Sequence, residues 1–144
     1  MTPHVREYIC PKEVNLFRKR RFVIEKMDEP DLGKGNILSC HILTRAVSEI
    51  FLVEVEDGFF LETYQHSWLR TKKGNIIDVY PVACLGGPIL YDGGVASPAR
   101  RIYKKAPILG QDFSCFSFKE KVRITTEVLW NTIERYRKGI GMPI

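Results

Sequence analysis

A chain of 144 residues, 44% of them hydrophobic, has the size of one folding unit and enough apolar side chains for one core, so a single domain over 1–144 is expected and wholesale disorder is excluded. Twenty-two Lys and Arg against 17 Asp and Glu give a formal charge of +5, which permits attraction to nucleic acid, acidic lipid or an acidic protein partner. No run of about 18 apolar residues is present to span a membrane, and Met1 to Glu7 holds no apolar stretch fit for export, so the expected location is cytoplasmic.

Pro11 suits the first turn of a helix running from Lys12 to about Met27, in which Val14, Phe17, Phe22 and Ile24 lie among many charges, Arg18-Lys19-Arg20-Arg21 included. Glu29 to Gly35, punctuated by Pro30, Gly33 and Gly35, reads as a loop. From Ser39 to about Leu52, the residues Ile42, Leu43, Ala46, Val47, Ile50 and Phe51 recur at three- and four-residue steps, the mark of one buried helix face. Ser39 is the expected cap, with Asn36 the alternative if the first turn starts earlier. Either way Cys40 falls near the amino end, where unpaired N–H groups and the positive end of the helix dipole favour a thiolate.

Val53 to Glu56 alternates apolar and acidic residues, Asp57-Gly58 is a tight-turn signal, and Phe59 to Leu61 resumes an apolar strand. Strands around His66–Thr71 and Asn75–Tyr80 follow, joined by the turn Lys72-Lys73-Gly74-Asn75. The fold class is therefore α+β: an antiparallel meander packed on the Cys40 helix, with helices flanking it at both ends. Val82 to Gly94 is a glycine-rich connection without dinucleotide or phosphate-loop spacing, expected to border the cleft. Ile102 to Leu109 is expected to add an edge strand. Ser117 is then a cap for a helix from Phe118 to about Lys138, with Glu120 in capping-box position, Val122, Leu129, Ile133 and Tyr136 inward, and Gly139 as the stop.

The four cysteines, at positions 10, 40, 84 and 115, show neither CxxC nor zinc-ribbon spacing, and in a reducing compartment Cys10, Cys84 and Cys115 read as small buried residues. Cys40 alone has a setting suited to reactivity. His66 supplies an imidazole to move its proton and Asp78 a carboxylate to orient that imidazole, a set suited to thiol acyl transfer without a cofactor. The pairing of the last two strands decides whether the set is possible: a register with His66 opposite or diagonal to Asp78 puts them on one face, and a slip of one residue separates them. Gln65 and Asn36 are candidate donors to a developing oxyanion, and Trp68 is a candidate substrate contact.

These residues resemble the transglutaminase-like branch of the papain-like cysteine enzymes. Ser39-Cys40-His41 is similar to the Ser-Cys-Trp start of that family's nucleophile helix, His66-Ser67-Trp68-Leu69 to its His-Ala-Trp strand, and Gly74-Asn75-Ile76-Ile77-Asp78 to its Gly-x-x-x-Asp strand. The likeness spans residues 35 to 81. It implies a papain/transglutaminase-like core, catalytic roles for Cys40, His66 and Asp78, and a protein or peptide substrate attacked at an amide by a peptidase, deamidase or transglutaminase. His41 stands where the family usually has an aromatic residue, and the Cys-to-His interval is shorter than in full transglutaminases.

Two other readings use the same residues differently. Cys40, Asp78 and either His41 or His66 supply sulfur, oxygen and nitrogen for a metal, although no zinc signature such as HExxH occurs. A non-enzymatic binding module would instead use the basic clusters Arg18–Arg21 and Arg100-Arg101 with Lys104-Lys105 on nucleic acid or an acidic partner.

Overall fold

The computed structural model describes residues 11–26, 39–79, 88–94, 97–110 and 112–140. Among the described residues, four helices and a five-stranded antiparallel sheet make the fold α+β. In chain order they are α1 (Pro11–Lys26), α2 (Cys40–Phe51), β1 (Glu54–Phe60), β2 (Tyr64–Arg70), β3 (Ile76–Asp78), β4 (Ile89–Tyr91), α3 (Ala99–Ile102), β5 (Tyr103–Lys105) and α4 (Phe116–Ile140). The strands lie in the order β4-β3-β2-β1-β5. None of the described helices is long and apolar enough to cross a membrane.

Helix α2 is the hub, packing on both α4 and β2. Its inward face is the expected one: Ile42, Leu43, Ala46 and Val47 are buried, and they join Val14, Phe17, Val23 and Ile24 of α1 and Leu129 and Ile133 of α4 in the main core. Leu69, Ile77 and Leu90 bring one face of the sheet to that core. A second cluster, Phe60, Trp68, Ile76, Ala99 and Tyr103, covers the opposite face. Alternation along β2 thus sends Ser67 and Leu69 toward the helices and His66 and Trp68 away from them.

Strand β1 departs from expectation. Asp57-Gly58 is no turn; the strand runs through it, and the chain reverses at Leu61 and Glu62, both in the left-handed region at φ 53° and 69°. Tertiary contacts hold the pair extended. Asp57 is gripped by Arg45 and Ser67, and a Cβ on Gly58 would lie 2.0 Å from the carbonyl oxygen of Lys104 and 2.8 Å from the Trp68 ring. Glycine is required there for close approach of β5, not for a bend.

The next hairpin matches the expected turn: Gly74, at φ 85°, lies in a loop closed by bonds from Thr71 N–H to Asn75 O and from Gly74 N–H to Thr71 O. Tyr103–Lys105 is the edge strand expected within 102–109, although the short α3 before it is unheralded. Helix α4 begins at Phe116, one residue before the expected cap Ser117, with Lys119 N–H bonded to Cys115 O. Glu120 pairs with Arg123 instead of closing a capping box, and the helix runs past Gly139 to Ile140. Its buried stripe holds Leu129 and Ile133 with Val128, Thr125 and Thr132. The two threonines are accepted there because each hydroxyl donates to the carbonyl four residues back.

Candidate active site

Ser39 caps α2: its backbone is extended and its hydroxyl accepts from Ile42 N–H at 3.2 Å, while Leu43 N–H bonds Ser39 O at 3.0 Å. Cys40 is therefore the first helical residue, and the N–H groups of Cys40 and His41 have no acceptor within the helix. Thr44, buried one turn on, donates its hydroxyl to Ser67 O at 3.2 Å and pins this end of the helix to β2.

Strand β2 pairs with β3 so that Leu69 faces Ile77 and Arg70 faces Ile76. Continued by one pair, that register sets Asp78 beside Trp68 and diagonal to His66, on the same face. The side chains complete the approach: His66 Nε2 stands 2.9 and 2.8 Å from the two oxygens of Asp78, and both residues are buried. Tyr103 donates its hydroxyl to Asp78 Oδ2 at 2.8 Å. With Nε2 committed to the carboxylate, Nδ1 is the nitrogen left for Cys40, the group to which His66 is electrostatically coupled.

Electrostatics follow from these contacts. Burial by itself would raise the Cys40 thiol, but its interactions with the His41 and His66 rings outweigh it and bring the thiol down to about 6. Burial by itself would lower His66; hydrogen bonds to Asp78 and Cys40, with their negative charges, carry it up to about 9. Between those values the pair is thiolate and imidazolium. Burial, the Asp78 charge and its role as donor all raise Tyr103, which stays a neutral hydroxyl beside the carboxylate.

The remaining expected residues fall elsewhere. Gln65 donates its amide to Leu109 O at 3.1 Å, which ties it to the 106–110 segment. Trp68, expected against substrate, is 0% exposed and gives its indole N–H to Glu56 at 3.0 Å; it packs under Tyr103 and beside His66 as a support. Asn36, Cys10 and Cys84 lie outside the described residues, as does most of the glycine-rich connection. Cys115 is an exposed free thiol instead of a buried one, because it precedes α4 on the surface. Among the described residues no three His, Cys, Asp or Glu side chains form a group able to hold a metal.

The basic clusters differ from each other. Within Arg18–Arg21 the charges diverge: Arg20 lies over the Phe51 ring at 5.1 Å and Arg21 pairs with Glu25 at 2.8 Å. Arg100, Arg101, Lys104 and Lys105 are exposed, with Lys104 3.7 Å from Glu62. Sequence reasoning missed three polar residues around the site. Tyr103 carried no local signal, because its partner is 25 residues away. Asp57 and Arg45, joined at 2.7 Å beside Ser67, were hidden by the turn-like Asp57-Gly58 pair.

No family model, no curated protein and no solved structure matches this chain. The chemistry is read from the side chains alone.

Proposed function

We propose that the protein is a cysteine-dependent acyl-transfer enzyme, of the transglutaminase-like kind, that attacks an amide through Cys40 with His66 as acid and base and Asp78 as the residue that positions His66. One observation carries the reading: a buried imidazole, held through Nε2 by both oxygens of a buried carboxylate, is coupled to a cysteine in the first turn of a helix. A lone cysteine on a helix needs no such partner. The α+β arrangement of nucleophile helix against antiparallel sheet fits the papain/transglutaminase-like core that the sequence resembles.

In the reaction the Cys40 thiolate adds to the amide carbon, and the carbonyl electrons move to oxygen. The N–H groups at the start of α2 are placed to receive that oxyanion. His66 gives its Nδ1 proton to the amide nitrogen, the C–N bond breaks, and the amine or ammonia leaves a thioester on Cys40. Water then attacks the thioester as His66 takes its proton, the C–S bond breaks, and thiolate and imidazolium are restored with the acid released. An amine in place of water gives the transferase outcome. Asp78 stays a carboxylate throughout and holds the ring by Nε2–H.

Turnover of peptide and glutamine-containing substrates by wild type, Cys40→Ala and His66→Ala tests this, with intact-mass detection of an acyl adduct on Cys40. Loss of turnover in both folded variants is the expected result. Undiminished turnover in both ends the proposal.

A further inference from the structure

Cys40 has a second imidazole. His41 is 6% exposed, and its Nδ1 stands 2.6 Å from Ser67 Oγ. Ser67 in turn lies within hydrogen-bond distance of Asp57 Oδ1, and Asp57 Oδ2 takes Arg45 Nη2 at 2.7 Å. Arg45 also reaches Ser67 Oγ at 3.2 Å and His41 O at 3.3 Å through Nη1. A carboxylate only accepts and a guanidinium only donates, so the single Ser67 hydroxyl hydrogen goes to Asp57. Ser67 Oγ is thereby an acceptor toward His41, and Nδ1 carries the hydrogen. The tautomer is decided by hydrogen counting: Nε2 is the nitrogen left over as an acceptor, beside the adjoining Cys40, whose ionisation the His41 ring favours.

Because Ser67 and His66 are consecutive in β2, they project to opposite faces of the sheet. Cys40 at the start of α2 is thus coupled to one ring held from the Asp78 face and to another held from the Asp57 face. The charged and titratable groups near His41 include Cys40 and Arg45 on its own helix and Asp57 on β1, while Glu49 of α2 and Lys119, Arg123 and Glu127 of α4 line the same cavity as Arg45 and Phe113. Phe113, 5.4 Å away between ring centres, and the Arg45 guanidinium stacked on it at 3.8 Å close the outer side.

We infer that His41 is a second catalytic imidazole, which takes the Cys40 proton on Nε2 while Ser67 and Asp57 act as positioning residues that keep its Nδ1–H in place. The inference rests on the acyl-transfer reading and extends it. The step balances: the S–H bond breaks, its electrons stay on sulfur, and the proton forms an Nε2–H bond that points back at the thiolate. Thiolate formation then has two routes, through His66 or through His41. Protonation of the leaving amine is left to His66, whose Nε2 is held by the Asp78 carboxylate.

The test is the rate of Cys40 alkylation by iodoacetamide against pH, located by peptide mass, in wild type, His66→Ala, His41→Phe, Ser67→Ala and the His41→Phe/His66→Ala double variant. Thermal melts select the folded ones. His66→Ala is expected to lose turnover yet keep a midpoint below the ordinary thiol value of about 8.5, and the double variant to alkylate roughly fivefold more slowly at pH 7 than His66→Ala. Ser67→Ala, which keeps the ring but frees its tautomer, is expected to move the profile in the same direction by less. Identical profiles for His66→Ala and the double variant overturn the role of His41, and if the latter does not fold, an unmoved profile in Ser67→Ala does so. An ordinary midpoint in the wild type, by contrast, defeats the acyl-transfer reading itself.

Discussion

Tyr103 of β5 and Asp78 of β3 are joined by a 2.8 Å hydrogen bond although two strands, β1 and β2, separate them in the sheet. In a flat sheet their backbones would stand about 14 Å apart, beyond the reach of a tyrosine, so the sheet curls around the His66 face. That curl closes a ring of aromatics, Phe60, Trp68, Tyr91 and Tyr103, against the His66–Asp78 pair. Tyr103→Phe keeps the packing and removes only the donor to the carboxylate. We expect it to fold with a stability loss of about 1–3 kcal/mol by urea unfolding. Asp78→Asn should lower turnover by about 100-fold or more while leaving the fold intact by circular dichroism.

The pH dependence has a definite sign on each limb. The thiolate forms as pH rises through about 6, and the imidazolium is lost as pH rises through about 9. Turnover should therefore climb on the acid side near 6, fall on the alkaline side near 9, and report the coupled pair instead of either group alone. A kcat/KM profile gives both limbs; a profile still rising at pH 8 contradicts the ion pair.

Gly58→Ala asks a methyl group to occupy space already held by Lys104 O at 2.0 Å and the Trp68 ring. Strand β5 must move away from β1, taking Tyr103 with it. The expected cost is about 3 kcal/mol or more, with reduced Cys40 alkylation at neutral pH. Wild-type stability by urea unfolding contradicts the placement of β5.

Leu129 is fully buried between the helices, and its neighbour Trp130 is 39% exposed. Leu129→Ala should lose about 2–5 kcal/mol through lost burial and the cavity left behind. Trp130→Ala should lose much less despite removing more atoms, and thermal or urea unfolding of the two variants ranks them.

How much was legible depends on the distance over which each feature is determined. The α2 face, its Ser39 cap and the Gly74 turn were readable, since each is set by residues at most a few positions apart. The order and local settings of Cys40, His66 and Asp78 were also visible, and so was the condition on the register. Asp57-Gly58 was misread because its local preference for a turn is overruled by Arg45, Ser67 and the backbone of Lys104, all distant in the chain. Ser117 and Gly139 were misread at the ends of α4, where capping signals compete with packing.

The sequence by itself determined the inward helix faces, the α+β class and the three residue types the proposed chemistry needs, because side-chain periodicity and capping act through near neighbours. Only the tertiary structure decided that β2 and β3 pair with His66 diagonal to Asp78, that Tyr103 reaches the same carboxylate, and that Ser67 sets the His41 tautomer. Those outcomes depend on hydrogen bonds between residues 12 to 26 positions apart, which no local pattern encodes.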